Sequence, residues 1–287
     1  MTRILVRPRP WPRHGWLGLF LITLFWPLTW FLPGPRTHFT FFPLWTGLVL
    51  TLDALVWRRR GHSLLTRRWQ AFVGLFVLSA PIWWLFELLN WRTQNWHYVG
   101  RELFSDLEYA LLASLAFSTV LPAVFEAAEL ASTCSFIQRF RHGPRLRPTR
   151  RLLLGFFLAG WLMLAVLWTW PRYGFPFIWL SLFFILEPVN AWLGHRTLLE
   201  ETARGDWRSV ASLWAGVLLC AFFWEFWNYW AFPKWVYTIP FVDFLRIFEM
   251  PLLGYGGYLP FALELYALYY LVRGLLGQRD PYLRLAS

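Results

Sequence analysis

Two stretches of this chain place a carboxyl and an amide three residues apart at the end of a long apolar run. The first is Trp84–Tyr98, WLFELLNWRTQNWHY, which holds Glu87 and Asn90. The second is Trp224–Tyr237, WEFWNYWAFPKWVY, where Glu225 and Asn228 follow 138 residues later. Trp91 returns as Tyr229 at the same offset, and Trp96 and Tyr98 return as Trp235 and Tyr237 one residue further on. At helical spacing, i and i+3 share a face with i+4 beside them. Each copy therefore aims an acid, an amide and an aromatic ring in one direction. An acidic side chain at mid-bilayer costs about 2.5–3.5 kcal/mol on insertion scales, so it should face a protein interior or a cavity. A carboxylic acid among apolar rings can protonate an alkene. The carbocation so formed would lie against Trp and Tyr faces, whose quadrupoles attract it. A second carboxylate or an Asn could then accept a proton or steer its loss.

The elements that must position these groups follow from composition. The chain is 57% hydrophobic, 21% aromatic and only 15% charged. About 20 apolar residues suffice to cross a bilayer as a helix. Eight such runs are read, near 16–33, 40–57, 70–91, 105–132, 152–170, 176–193, 209–231 and 247–272. The expectation is an all-α integral membrane protein of eight transmembrane helices. The net charge of +11 then reflects arginines that set topology and touch anionic lipid, and no nucleic-acid partner is expected. With these spans, 21 of the 27 Lys and Arg fall on one side. That asymmetry predicts a cytoplasmic (inner) membrane protein with both termini in the cytoplasm.

Further landmarks recur. Asp53 and His62 have counterparts in Glu187 and His195, Trp69 in Trp207, and Glu108 in Glu249. LPAVFE at Leu121–Glu126 matches LPFALE at Leu259–Glu264, again 138 residues on. The chain reads as two tandem four-helix repeats, 16–132 and 152–272. A basic tail (1–15), a basic linker (133–151) and a C-terminal tail (273–287) surround them, all cytoplasmic. Four spans is an even number, so the repeats keep one orientation and share a pseudo-two-fold axis along the membrane normal.

Structural readings compete with the chemical one. Buried Glu and Asn often hold helices together, and duplication copies such glue as faithfully as a site. Glu126 and Glu264 sit beside a Pro that frees backbone carbonyls, which favours a structural role. Asp53 and Glu187, next to basic loops, read as ion-pair or cap residues. Trp91, Trp96, Trp235 and Tyr237 also suit an interfacial aromatic belt. The GYGGY stretch, Gly254–Tyr258, permits close helix packing or leaves room for a ligand. Cys134 and Cys220 suggest no disulfide, and no metal-ligand spacing is present. No cofactor is expected, since no glycine-rich nucleotide motif or haem-type His pairing occurs.

At these residues the chain resembles the membrane lycopene cyclase family, the flavin-independent type built from tandem domains. Trp69 fits that domain's opening Trp. Trp224-Glu225 fits its W-D position, as does Glu87 in the first half. Trp96-His97-Tyr98 and Trp235-Val236-Tyr237 fit its outer loop, and Pro122 and Pro260 its later Pro. Glu108 and Glu249 fall where its paired acids belong, here within SDLEYA and IFEMPL. The resemblance implies a carotenoid or terpenoid cyclase-like enzyme acting by protonation. Its catalytic residues would be Glu87, Glu108, Glu225 and Glu249, oriented by Asn90 and Asn228. Trp91, Trp96, Tyr98, Tyr229, Trp235 and Tyr237 would line the isoprenoid site. The alternatives are an isoprenoid or lipid carrier or transporter, and a non-catalytic membrane scaffold.

Overall fold

The structure, a computed structural model, describes residues 9–278 and 280–286. It is predominantly helical, at 72%. The first half holds α1 (Arg13–Phe31), α2 (Thr37–Arg60), the short α3 (Leu64–Arg67) and α4 (Trp69–Thr93). Strand β1 (Trp96–Val99), α5 (Asp106–Phe117) and α6 (Val120–Ser132) follow. The second half holds α7 (Arg150–Thr169), the short α8 (Pro171–Gly174), α9 (Ser181–Trp192), the short α10 (Leu198–Ala203) and α11 (Arg208–Tyr229). It ends with strands β2 (Lys234–Tyr237), β3 (Arg246–Ile247) and β4 (Met250–Pro251), then α12 (Tyr258–Leu275).

Six helical segments are long and apolar enough to cross a membrane, as in a multi-pass membrane protein: α1, α2, α4, α5 with α6, α7 and α11. Their outer faces show Val77, Leu107, Leu158, Trp161 and Leu162 to the surroundings, a surface that hydrocarbon accommodates and water does not. The remaining two of the eight expected spans differ in kind. Residues 171–192 form a pair bent by 43°. The last span begins later than expected, at Tyr258, because 246–257 is spent on the small β3–β4 pair and a 3-10 turn. What remains, α12, is 18 residues long, tyrosine-rich and carries Glu264 and Arg273.

The α5–α6 break has a local cause. Pro122 has no N–H to give to the preceding turn, and the helix parts at Ser118–Thr119. Ser79 of α4 repairs the gap: its hydroxyl donates to Phe117 O at 2.5 Å and accepts from Leu121 N at 2.9 Å. Elsewhere, α6 packs against α11, α1 against α2 and α7 against α9. The first contact depends on Gly216, where a Cβ would lie 2.4 Å from Ala128 N.

The acids Asp53 and Glu187 behave as caps. Asp53 Oδ2 accepts from Leu65 N at 2.9 Å at the start of α3. Glu187 Oε1 accepts from Leu199 N at 2.8 Å at the start of α10. Both are fully buried.

The linker and the C-terminal segment are docked. Ile137 is buried, and Gly143 N and Leu146 N donate to Gly205 O and Thr202 O. Tyr282, Leu283 and Leu285 are buried. Tyr282 OH donates to Leu64 O at 2.7 Å, and Ser212 Oγ to Leu285 O at 3.0 Å. Arg67 pairs with the fully buried Glu129 and donates to Tyr282 O at 2.9 Å. Of the basic tail 1–15, residues 1–8 lie outside the described residues.

His62 sits between Arg67 and Arg284 at 3.0 and 3.1 Å. Burial, then the charges of Arg284, Arg67, Arg60 and Arg9, hold its ring below the usual histidine range. A lowered folded value means the unfolded chain takes the proton first, so stability falls as pH drops through about 6.5. The thermal midpoint is expected to fall between pH 7.5 and 5.5, and His62→Gln to remove part of that fall. An equal fall in the variant would assign the effect to other groups.

Candidate functional site

Strands β1 and β2 pair antiparallel, Trp96 opposite Tyr237 and Tyr98 opposite Trp235, with His97 and Val236 at the centre. Alternate strand residues share a face. Trp96, Tyr98, Trp235 and Tyr237 therefore project from one side of a two-stranded ribbon. One strand comes from each half of the chain.

An Asn holds each strand. Asn90 Nδ2 donates to Trp96 O at 2.9 Å, and its Oδ1 accepts from Asn95 N at 2.8 Å and Trp96 N at 3.3 Å. Asn228 Nδ2 donates to Trp235 O at 2.7 Å, and its Oδ1 accepts from Trp235 N at 3.0 Å. Both amides are buried. The expectation that they orient the acids directly is corrected: they clamp backbone, and the aromatic tips that this places hold the acids. Asn90→Ala and Asn228→Ala leave buried backbone groups unpaired and should each cost about 1–3 kcal/mol, read as a lowered melting midpoint. A midpoint equal to wild type would mean water replaces the clamp without loss.

The aromatic tips end on the repeated acids. Glu87 Oε1 accepts from Trp83 Nε1 at 2.9 Å, Trp96 Nε1 at 3.0 Å and Tyr98 OH at 2.5 Å. Glu225 Oε1 accepts from Tyr237 OH at 2.7 Å and Tyr258 OH at 2.8 Å, and Trp235 Nε1 donates to Tyr237 OH at 2.9 Å. Glu225 is fully buried, and its Oε2 has no partner among the described residues. Burial, then the charge of Glu87, pushes the Tyr98 phenol well above its ordinary range. Burial, then Glu225, does the same to Tyr237. Both phenols therefore keep their protons at neutral pH.

These aromatic residues line a half-open chamber of about 480 Å³, within the usual range of small-molecule sites. Trp83, Trp96, Tyr98, Tyr109 and Phe117 line it from the first half, and Trp179, Trp224, Trp235, Tyr237, Tyr258 and Phe261 from the second. Trp179 stacks on Trp96 at 5.6 Å between ring centres, and Trp224 on Tyr258 at 5.8 Å. Gly254, Gly256 and Gly257 of the GYGGY stretch also face it, so that stretch makes room. The two carboxyls are not themselves in the wall; they lie one residue layer behind it.

Four of the expected site residues lie elsewhere. Glu108 is exposed and closes a capping box with Ser105 at the start of α5, accepting from Ser105 N at 2.9 Å and Oγ at 2.7 Å. Helix-starting donors are open to an acid at this position, so it turns back on its own helix. Glu249 is neutralised by an ion pair with Lys234. Trp91 is 69% exposed and lies beside Trp168, and Tyr229 is exposed beside Trp230. Both follow directly after the buried Asn on a helix, a turn of about 100° that carries them out of the interior. Glu108→Gln should leave ligand binding in the chamber unchanged, and a loss of binding would bring that acid back into the site.

Trp83, Tyr109, Trp179, Trp224, Tyr258 and Phe261 were not expected as lining residues. Aromatic residues make up 21% of the chain, so no single ring stands out by type. Among the described residues no cluster of His, Cys, Asp or Glu could hold a metal. Comparison with protein-family models, curated proteins and solved structures found no match to this chain.

Proposed function

We propose that this protein is a membrane enzyme that binds an isoprenoid alkene in the aromatic chamber and acts on it by proton transfer, as a carotenoid or terpenoid cyclase-like enzyme would. The observation that carries the reading is the pairing of wall and acid. Tyr98, Tyr237 and Tyr258 line the chamber, and the hydroxyl of each ends on a carboxyl just behind it. With Glu225 protonated, its proton passes to a tyrosine oxygen as that tyrosine gives its own to the alkene. The net donor is the carboxyl, and the carboxylate left behind is stabilised by the phenol donors already in place. The cation lies among Trp and Tyr faces, and loss of a proton to a carboxylate closes the cycle.

The finer architecture belongs to the same proposal: eight spans, with α9 and α12 completing two four-helix repeats about a pseudo-two-fold axis. Matched Asn clamps, matched acid caps and a ribbon symmetric about His97 and Val236 support it. The arginine distribution supports a cytoplasmic membrane with both termini inside. Expression in bacteria producing lycopene or shorter terpenes, with product analysis, tests the function. Unchanged products across all of these hosts would overturn the enzyme reading.

A second reading is an isoprenoid carrier. The carboxyls behind the rings favour it, because the wall itself is then almost wholly apolar. A bound isoprenoid recovered unaltered from purified protein would support the carrier.

A further inference from the structure

Asn95 differs from every other buried amide at this site. It is 3% exposed, lies in the chamber wall, and its Oδ1 has no hydrogen-bond partner among the described residues. Its backbone is already committed: the N–H donates to Asn90 Oδ1 at 2.8 Å and the carbonyl accepts from Thr238 N at 2.9 Å. The residue is held on both sides while its amide oxygen is unspent. A buried acceptor with no donor costs free energy, so a group that supplies an O–H there is favoured.

The charge on the wall narrows the class. Its cations, Arg101 and Lys234, are already paired with Asp106 and Glu249. Among the described residues the wall holds no unpaired Arg or Lys for an anionic head. We propose that Asn95 is a binding residue that accepts a hydrogen bond from the hydroxyl of an isoprenoid alcohol. This rests on the reading of the chamber as an isoprenoid site. The residue in the matching place before Trp235 is Lys234, which is paired with Glu249 and offers no amide, so the two ends of the chamber differ.

The test is isothermal titration of the detergent-solubilised full chain with geranylgeraniol and with the hydrocarbon of the same skeleton lacking the hydroxyl. Wild type is expected to prefer the alcohol about tenfold. Asn95→Leu and Asn95→Ala should bind the hydrocarbon as wild type does and lose the preference. Equal binding of both compounds by wild type, or a preference that survives in both variants, would overturn the assignment. Binding of neither compound removes the isoprenoid reading itself, and this inference with it.

Discussion

A Glu225→Gln variant is expected to lose about 10²–10⁴-fold of turnover on an isoprenoid alkene, the range that a positioned general acid supplies. The fold should survive. Glutamine has the same shape, its amide oxygen accepts from Tyr237 and Tyr258, and its NH₂ takes the place of the unpartnered Oε2. Only the transferable proton is lost. Glu87→Gln, measured beside it, assigns the chemistry to one half or both, since Glu87 meets the same kind of donors. Tyr237→Phe separates the relay from the acid, because it keeps the ring and the carboxyl and removes the hydroxyl between them. Purified variants would be compared by product chromatography and by melting midpoint. Full turnover by both glutamine variants would place the proton donor elsewhere.

The largest stability effect is expected at Glu129. Removing one partner of a buried ion pair strands the other, at about 3–5 kcal/mol. Glu129→Ala strands the guanidinium of Arg67, and it also takes away the acceptor that Arg284 N uses at 2.9 Å. Three separate segments meet there: α3, α6 and the C-terminal residues. The consequence is a lowered melting midpoint together with faster proteolysis after Leu275. Arg67→Ala should behave alike, and the double variant should cost less than the two single changes combined. Additive losses would mean that the two side chains are not coupled.

The helices were legible because long apolar runs announce themselves, and the paired acids because they recur. Trp96, Tyr98, Trp235 and Tyr237 were legible for the same reason, and their i, i+2 spacing suits a strand face. Glu108 was misread although its signal was present. Ser105 three residues before it spells a capping box at a helix start, and Glu108 matched a family position as well. Glu249 was expected as an acid of the site, because nothing in the spacing links it to its partner Lys234, which lies 15 residues away at the start of β2. The lining contributed by Trp179 and Phe261 depends on how α12 and the turn before α9 meet α4. No spacing within one segment records that contact. Asn95 is silent in the sequence for a similar reason, since only burial distinguishes it from an ordinary loop amide.

The two-stranded ribbon has a bearing on biogenesis. Its strands are separated by everything from α5 to α11, so β1 is synthesised long before β2 exists. Until then its edge donors and acceptors stand open, and such edges invite wrong pairing. Contacts this distant in sequence also form slowly. The ribbon therefore acts as a late latch: the two halves can insert one after the other, but the stretch of chamber wall that β1 and β2 form together is complete only when the second has arrived.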